Sequence, residues 1–127
     1  MAQEFWDVYN QMQREMKQLE EKVIDFLESN GIEFKVDGDV VMIKGDLGFA
    51  EFSGYDVGPE IATMVQGDKK ITWESYGAES RLEVGGVGTP GYDKYIILPR
   101  DMPVRYNKPY LLLIFRANPL KLEWKLE

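Results

Sequence analysis

Apolar residues recur at intervals of three and four along the first quarter of the chain. The members of this repeat are Phe5, Tyr9, Met12, Met16, Leu19, Val23 and Phe26. Alternating intervals of four and three are the heptad pattern of an amphipathic helix, which would present these side chains along one stripe. No Gly or Pro interrupts the pattern before Gly31, which is a typical C-cap residue. The sequence therefore predicts a helix over residues 3–30.

A helix of that length would be about 40 Å long, whereas a typical strand spans only ~17–20 Å. Part of the helix should therefore extend beyond its own sheet. Val8, Ile24 and Leu27 widen the apolar stripe, chiefly toward the C-terminal end, which we expect to pack on the sheet. We expect a second chain to pair with the remaining seam, whose interface residues are Phe5, Tyr9, Met12, Met16 and Leu19.

Charge favours one orientation of such a pair. In a parallel homodimer, Glu15 at a g position would face Glu20 at an e position of the second copy, which is repulsive. An antiparallel pair avoids that contact. The alternative is that the whole stripe lies on the protein's own sheet as core, because intramolecular helices commonly show similar spacing.

After Gly31 the pattern changes to short segments that favour strands. The predicted strands cover residues 32–36, 40–44, 49–53, 61–66, 71–76, 80–84, 92–98, 110–115 and 120–126. Asp37-Gly38-Asp39, between the first two, is a strong hairpin signal because Gly accepts positive φ in the turn. A long helix followed by a mainly antiparallel β region is an α+β arrangement, in which the sheet is either covered by the helix or doubled into a sandwich.

The segments 110–115 and 120–126 differ in pattern. YLLLIF is apolar on both faces, which predicts a central strand covered on both sides. LKLEWKL alternates strictly, as expected of a strand with one face in water. At 127 residues and 44% apolar content, the chain is long enough for one domain with a substantial core. We therefore expect a single domain over residues 1–127, with its β region over 32–126.

The chain is acidic, with 15 Lys and Arg against 22 Asp and Glu and a net charge of −7. This balance disfavours a general nucleic-acid binder and a protein that binds anionic membranes. The charge is unevenly spread, since residues 1–64 hold 14 acids and 5 bases while residues 65–127 hold 8 acids and 10 bases. Such asymmetry fits self-association, or a partner that meets only one face.

The chain contains neither cysteine nor histidine. Their absence removes disulfides, thiolates, the commonest general base and the commonest metal ligand, together with Ser-His-Asp and Cys-His catalytic arrangements. The N-terminus is amphipathic and acidic, unlike a signal peptide, and no apolar run approaches the ~20 residues of a membrane span. We therefore expect a soluble protein of the cytoplasm or another intracellular compartment, with no catalytic or metal-binding residues.

Residues 85–91, GGVGTPG, contain the G-x-G-x-x-G spacing of dinucleotide-binding loops. In those folds the glycines let a helix N-terminus approach the pyrophosphate. Here residues 92–98 favour a strand that runs into Pro99, so that no helix is expected to follow. The sequence therefore favours a flexible connection between two strands and predicts no cofactor.

Two pairs of carboxylates, Asp37 with Asp39 and Asp46 with Glu51, could act as acid and base or hold a hard cation. They lie beside predicted turns, where Asp forms local hydrogen bonds and is solvated. The chain also lacks the alternating ligands and closing Glu of an EF-hand. A structural role is therefore favoured for these acids. Core or interface positions are favoured for the three tryptophans, Trp6, Trp73 and Trp124.

The C-terminal third of the chain carries a recognisable order of segments. Leu82-Glu83-Val84 is followed after three residues by Gly88-Thr89, and farther on stands Leu98-Pro99-Arg100-Asp101-Met102-Pro103. These segments resemble the entry to the reactive-centre loop of serpins and the end of that loop. Residues 104–114 are similar to the short strand and closing signature of the same family, with Tyr110 in place of Phe.

This resemblance covers residues 82–126 and does not extend to residues 1–81. It implies a protease-inhibitor loop whose scissile-bond residue is Arg100 and whose targets are trypsin-like proteases. The bait or contact loop that it implies comprises Gly88, Thr89, Pro99, Arg100 and Asp101.

From the residues themselves we predict a non-enzymatic interaction or assembly module, which forms a homodimer or a higher homo-oligomer through its N-terminal helix. The alternative implied by the resemblance is a small serpin-like serine protease inhibitor with its bait around Arg100. A carboxylate enzyme is a third hypothesis, which requires buried or closely paired acids.

Overall fold

A computed structural model of the chain describes residues 2–46, 48–52, 59–76, 79–87, 94–99 and 102–117. The first element is helix α1, Ala2–Ser29. Nine strands follow in these described residues: β1 Phe34–Asp37, β2 Val40–Lys44, β3 Gly48–Phe52, β4 Pro59–Gln66, β5 Lys69–Tyr76, β6 Glu79–Gly86, β7 Lys94–Pro99, β8 Val104–Asn107 and β9 Tyr110–Ile114. The predicted α+β class, a long N-terminal helix followed by mainly antiparallel β structure, is confirmed.

The helix ends in a Schellman motif, for which the sequence supplies a glycine. Gly31 adopts a φ of 68°, a left-handed conformation in which a side chain would be strained. Its N–H donates to the carbonyl of Glu28 at 3.1 Å, and the N–H of Ile32 donates to the carbonyl of Leu27 at 2.9 Å. Leu27 and Ile32 are both buried, as is usual for the apolar pair of this motif. The motif fixes the direction in which the chain enters β1.

The first sheet has the strand order β1-β2-β9-β8, and every neighbouring pair is antiparallel. β9 therefore lies between two partners, which confirms that YLLLIF is a central strand. Leu111 and Leu113 on its core face are buried, whereas Leu112 and Ile114 on its other face are half-buried. The period-two pattern missed β8, because its four residues are too few to show alternation.

The second sheet has the order β3-β4-β5-β6-β7, in which each strand pairs antiparallel with the next one along the chain. The turn between β4 and β5 is tight, with Gly67 at a φ of 58°. β7 confirms the strand predicted before Pro99. The strand predicted over residues 120–126 lies outside the described residues.

Helix and sheets share one cluster of buried apolar side chains in the described residues. Its largest fully buried members are Phe115, Leu27, Ile43, Met64, Ile71, Leu82, Leu98, Leu111, Leu113, Val23 and Val41. The two sheets approach so closely at Gly48 that a Cβ placed there would lie 1.3 Å from the hydroxyl oxygen of Tyr106. Gly45 is similarly confined, since its Cβ would lie 2.4 Å from the Cβ of Met64.

One amide side chain ties the second sheet to the first. The Gln66 side chain accepts the N–H of Glu33 at 2.8 Å and donates to the carbonyls of Glu33 and Lys44, each at 2.7 Å. Because Gln66 ends β4 while Glu33 precedes β1 and Lys44 ends β2, these bonds hold three elements at one corner of the fold.

Candidate functional site

The N-terminal half of α1 contributes little to the core. Among helix side chains described, from Glu4 onward, the first buried residue is Glu20. Val23 and Leu27 follow it in the buried cluster, and Met16 and Leu19 pack partly against that cluster. Gln13 is the first residue along the helix that hydrogen-bonds to the β region in the described part of the chain. Its Oε1 accepts the N–H of Ala117 at 3.1 Å.

We call residues 4–12 the helix tip, because they precede the helix residues that pack on the core cluster. Nine residues at ~1.5 Å each make a segment of about 13 Å. The predicted interface is thus divided by the structure. Phe5, Tyr9 and Met12 are half-buried and stand outside the core cluster, whereas Met16 and Leu19 touch it.

An aromatic group occupies the helix tip. Trp6 meets Phe5 edge to face with ring centroids 5.6 Å apart, and it meets Tyr9 in the same way at 5.9 Å. Trp6 is nevertheless 57% exposed, the highest exposure among the large apolar side chains described. Such rings are held in place by one another but leave much apolar surface in water. The heptad analysis missed Trp6, which stands beside the a/d seam at an e position.

The predicted repulsion between Glu15 and Glu20 in a parallel pair does not apply. It required Glu20 to be available at an exposed e position, but Glu20 is only 3% exposed and lies 3.6 Å from Nζ of Lys17 in its own helix. The reason is geometric. A straight helix turns about 20° away from a strict heptad over seven residues, so the buried stripe shifts onto Glu20, Val23 and Leu27.

The residues of the serpin-like segment are only partly described. Pro99 is the last residue of β7, while Gly88, Thr89, Arg100 and Asp101 lie outside the described residues. Gly85 and Gly86 end β6, and the segment after the glycine-rich residues returns as β7. β7 confirms the strand that the sequence predicted after the glycine-rich residues, whereas the glycines of a dinucleotide-binding fold are followed by a helix.

The predicted turn acids have structural partners or lie in solvent. Asp39 accepts two hydrogen bonds from Arg116, one from Nε at 2.7 Å and one from a terminal nitrogen at 3.1 Å. These bonds hold the pKa of Asp39 below its usual value. Asp37 and Asp46 are exposed, and the side chain of Glu51 is outside the description. Among the described residues no group of three acids could hold a metal ion.

Glu83 is a buried acid. It lies on the face of the second sheet opposite the core, level with Thr72 on β5 and Tyr95 on β7. It is only 4% exposed, and Oε2 has no hydrogen-bond partner. Burial, with the nearby charge of Glu74, raises the pKa of the Glu83 carboxyl. A carboxylate enzyme requires a buried or closely paired acid, and Glu83 is buried. Because Glu83 is only 4% exposed, however, its carboxyl is almost inaccessible to a substrate.

The other two predicted tryptophans differ from Trp6. Trp73 is buried in the core cluster, as the sequence favoured, and its indole N–H has no partner there. Trp124 lies outside the described residues.

No protein-family model matches the chain, and no curated protein or solved structure is significantly similar to it. The likeness of residues 82–126 to serpins therefore stays a prediction. Within the residues described, α1 is too polar to cross a membrane.

Proposed function

We propose that this protein is a non-enzymatic interaction module that associates with a second copy of itself through the helix tip. The observation that carries the proposal is the exposed Trp6, held between Phe5 and Tyr9 on a segment that precedes the helix's contacts with the core. Large aromatic side chains dominate protein interfaces, and exposed clusters of them mark contact sites on soluble proteins.

The spacing of the seam suits a second copy in antiparallel orientation. If the two-fold axis of the dimer passes between Asn10 and Gln11, each residue lies level with a residue of the second copy, and the two residue numbers of every such pair add up to 21. Phe5 then lies level with Met16 of the second copy, which is just beyond the helix tip and packs partly against its own core cluster, and Tyr9 lies level with Met12. Both layers combine an aromatic ring with a flexible thioether, which packs well against ring edges.

The position of the body supports the same orientation. In an antiparallel pair that overlaps at the helix tips, the two β regions lie at opposite ends. A parallel pair would bring both β regions to the same end, next to each other. The antiparallel arrangement therefore leaves room for the helix tips to meet.

The expected strength of this association is moderate. Burying a large apolar side chain contributes ~1.5–3 kcal/mol, but these side chains are already partly buried, so each gains only a fraction of that. Association itself costs roughly 4–15 kcal/mol. Six aromatic side chains per dimer offset this cost without a large surplus, so the dimer should dissociate on dilution.

The test replaces the exposed rings by charges. The variant Phe5→Glu/Trp6→Glu should be monomeric where the native chain is dimeric, because dimer formation would bury four carboxylates. The control Gln18→Glu/Ser29→Glu adds the same charge at two exposed positions of the same helix, outside the seam from Phe5 to Met16 that the two copies share. It should dimerise like the native chain. Equal masses for the two variants would contradict the proposal, and circular dichroism checks that both remain folded.

A further inference from the structure

A groove of about 420 Å³ opens beside β1, the edge strand of the first sheet, and is separate from the helix tip. Its apolar surface comes from Ile32, Phe34, Met42 and Tyr110. Ile32 is buried, and Phe34 packs against the core cluster, so this wall is backed by the core. The volume lies within the range of ~300–1,000 Å³ that is usual for small-molecule sites.

Two lysines stand at this groove because of the strand register. Lys35 on β1 pairs with Met42 on β2, and Lys44 on β2 pairs with Tyr110 on β9. Met42 and Lys44 are two residues apart, so all four side chains project from the same face of the sheet. Lys35 lies opposite Met42 across the strand pair and Lys44 lies two residues along β2, so the two lysines are diagonal neighbours roughly 7–8 Å apart.

Neither lysine is neutralised by a neighbour. In the part of the chain that the structure describes, Lys35 and Lys44 form no ion pair, whereas Lys17 and Arg116 do. Glu33 also lines the groove, which leaves two positive charges against one negative. A local positive excess around an apolar surface is unusual in a chain with a net charge of −7.

The groove is also fixed before any ligand arrives. Gln66 holds both main-chain groups of Glu33 and the carbonyl of Lys44 through hydrogen bonds of 2.7–2.8 Å. These bonds set the separation between the start of β1 and the end of β2. A preorganised site loses less conformational entropy on binding.

We propose that this groove binds a small amphipathic carboxylate, with its alkyl or aryl body on Met42 and Tyr110 and its carboxylate between Lys35 and Lys44. The apolar wall requires a hydrophobic body. The two ammonium groups without an ion-pair partner among the described residues favour an anion, and the remaining excess of one positive charge suits a monoanion. The ligand class is therefore a free medium-chain or aromatic carboxylate.

Calorimetric titration of the whole chain with decanoate, below its micelle concentration, tests the site. The native protein should bind one decanoate and should bind decanol at least about tenfold more weakly, because charge-assisted hydrogen bonds are stronger than neutral ones. Lys35→Gln and Lys44→Gln should each weaken decanoate binding by about tenfold. The control Lys70→Gln/Lys94→Gln removes two exposed lysines of the second sheet and should change the affinity less than about twofold.

Gln66→Ala tests the preorganisation of the groove, because the Gln66 side chain does not line it. Loss of the three hydrogen bonds should weaken decanoate binding several-fold while both lysines remain in place. Three results would overturn the proposal: no binding of decanoate by the native protein, equal affinity for decanoate and decanol, or equal losses in the lysine variants and their control. Binding to anionic lipid vesicles without binding to free decanoate would overturn it as well.

Discussion

The contact between Gly48 and Tyr106 predicts a large effect from the addition of one methyl group. In Gly48→Ala the new Cβ would lie 1.3 Å from the hydroxyl oxygen of Tyr106 and 2.6 Å from its Cζ. Neither distance is possible, so the ring must move. Because Tyr106 packs against the core cluster, moving its ring separates side chains at the junction of the two sheets.

The expected cost follows from overpacking in comparable cores. Added methyl groups that force a side chain to move cost ~1–3 kcal/mol, out of a total stability of about 5–15 kcal/mol. For a chain of this size, each kcal/mol lowers the melting temperature by roughly 3–5 °C. Gly48→Ala should therefore melt about 3–15 °C below the native protein.

A second substitution shows whether the hydroxyl causes the effect. The Tyr106 hydroxyl is buried without a hydrogen-bond partner, so Tyr106→Phe should be neutral or stabilising by up to ~1 kcal/mol. In the Tyr106→Phe background the methyl group gains room, so Gly48→Ala should cost less there than in the native chain. Urea unfolding of the four proteins measures this coupling, expected at ~0.5–3 kcal/mol for residues in contact. An unchanged midpoint for Gly48→Ala, or strict additivity with Tyr106→Phe, would refute the reasoning.

Three further predictions concern charges and the C-terminal segment. The raised pKa of Glu83 means that its ionised form destabilises the fold, so Glu83→Gln should raise the free energy of unfolding at neutral pH. This gain should disappear below about pH 4.5, the ordinary pKa of a Glu carboxyl, because the native side chain is then protonated as well. Equal gains in stability at both pH values would contradict this prediction. The lowered pKa of Asp39 has the opposite sign, so Asp39→Asn should destabilise the fold above about pH 3.8 and lose its effect as the native carboxyl protonates at lower pH. An equal loss of stability at all pH values would contradict this prediction. If the serpin-like alternative is right, trypsin incubated with the protein should form a stable complex that Arg100→Ala prevents, and cleavage without such a complex would exclude it.

Much of the fold follows from local sequence patterns. The helix and its end at Gly31 are predictable because a left-handed C′ position needs glycine and the apolar period changes there. The central place of β9 is predictable because strands that are apolar on both faces commonly lie inside a sheet, but the predicted cover on both sides is incomplete, since Leu112 and Ile114 are only half-buried. These features depend on neighbouring residues along the chain, so one sequence is enough to find them.

Other features depend on pairs that are distant in sequence. Glu20 and Glu83 are acids, a residue type that is usually exposed, yet both are buried by the packing around the helix and the second sheet. The contact between Gly48 and Tyr106 joins two different sheets. Residue types alone do not reveal such contacts, because they require the tertiary register.

The candidate sites show the same division. The heptad pattern identified the seam of the helix tip, but it did not include Trp6, because an e position lies beside the a/d stripe. The sequence predicted the hairpin of β1 and β2 but did not place Lys35 and Lys44 at one groove, because that requires the residue-by-residue register and the packing at the sheet edge. The structure adds the separation of Met16 and Leu19, which touch the core, from Phe5, Tyr9 and Met12, which stand outside it.

The molar mass in solution, measured by sedimentation equilibrium over a wide range of concentration, tests the central claim most directly. Self-association through the helix tip predicts a mass that rises from 14.7 kDa toward twice that value with increasing concentration. It also predicts that Phe5→Glu/Trp6→Glu stays at the monomer mass throughout. A native mass of 14.7 kDa at the highest concentration, or a dimer that persists in the double variant, would contradict the account.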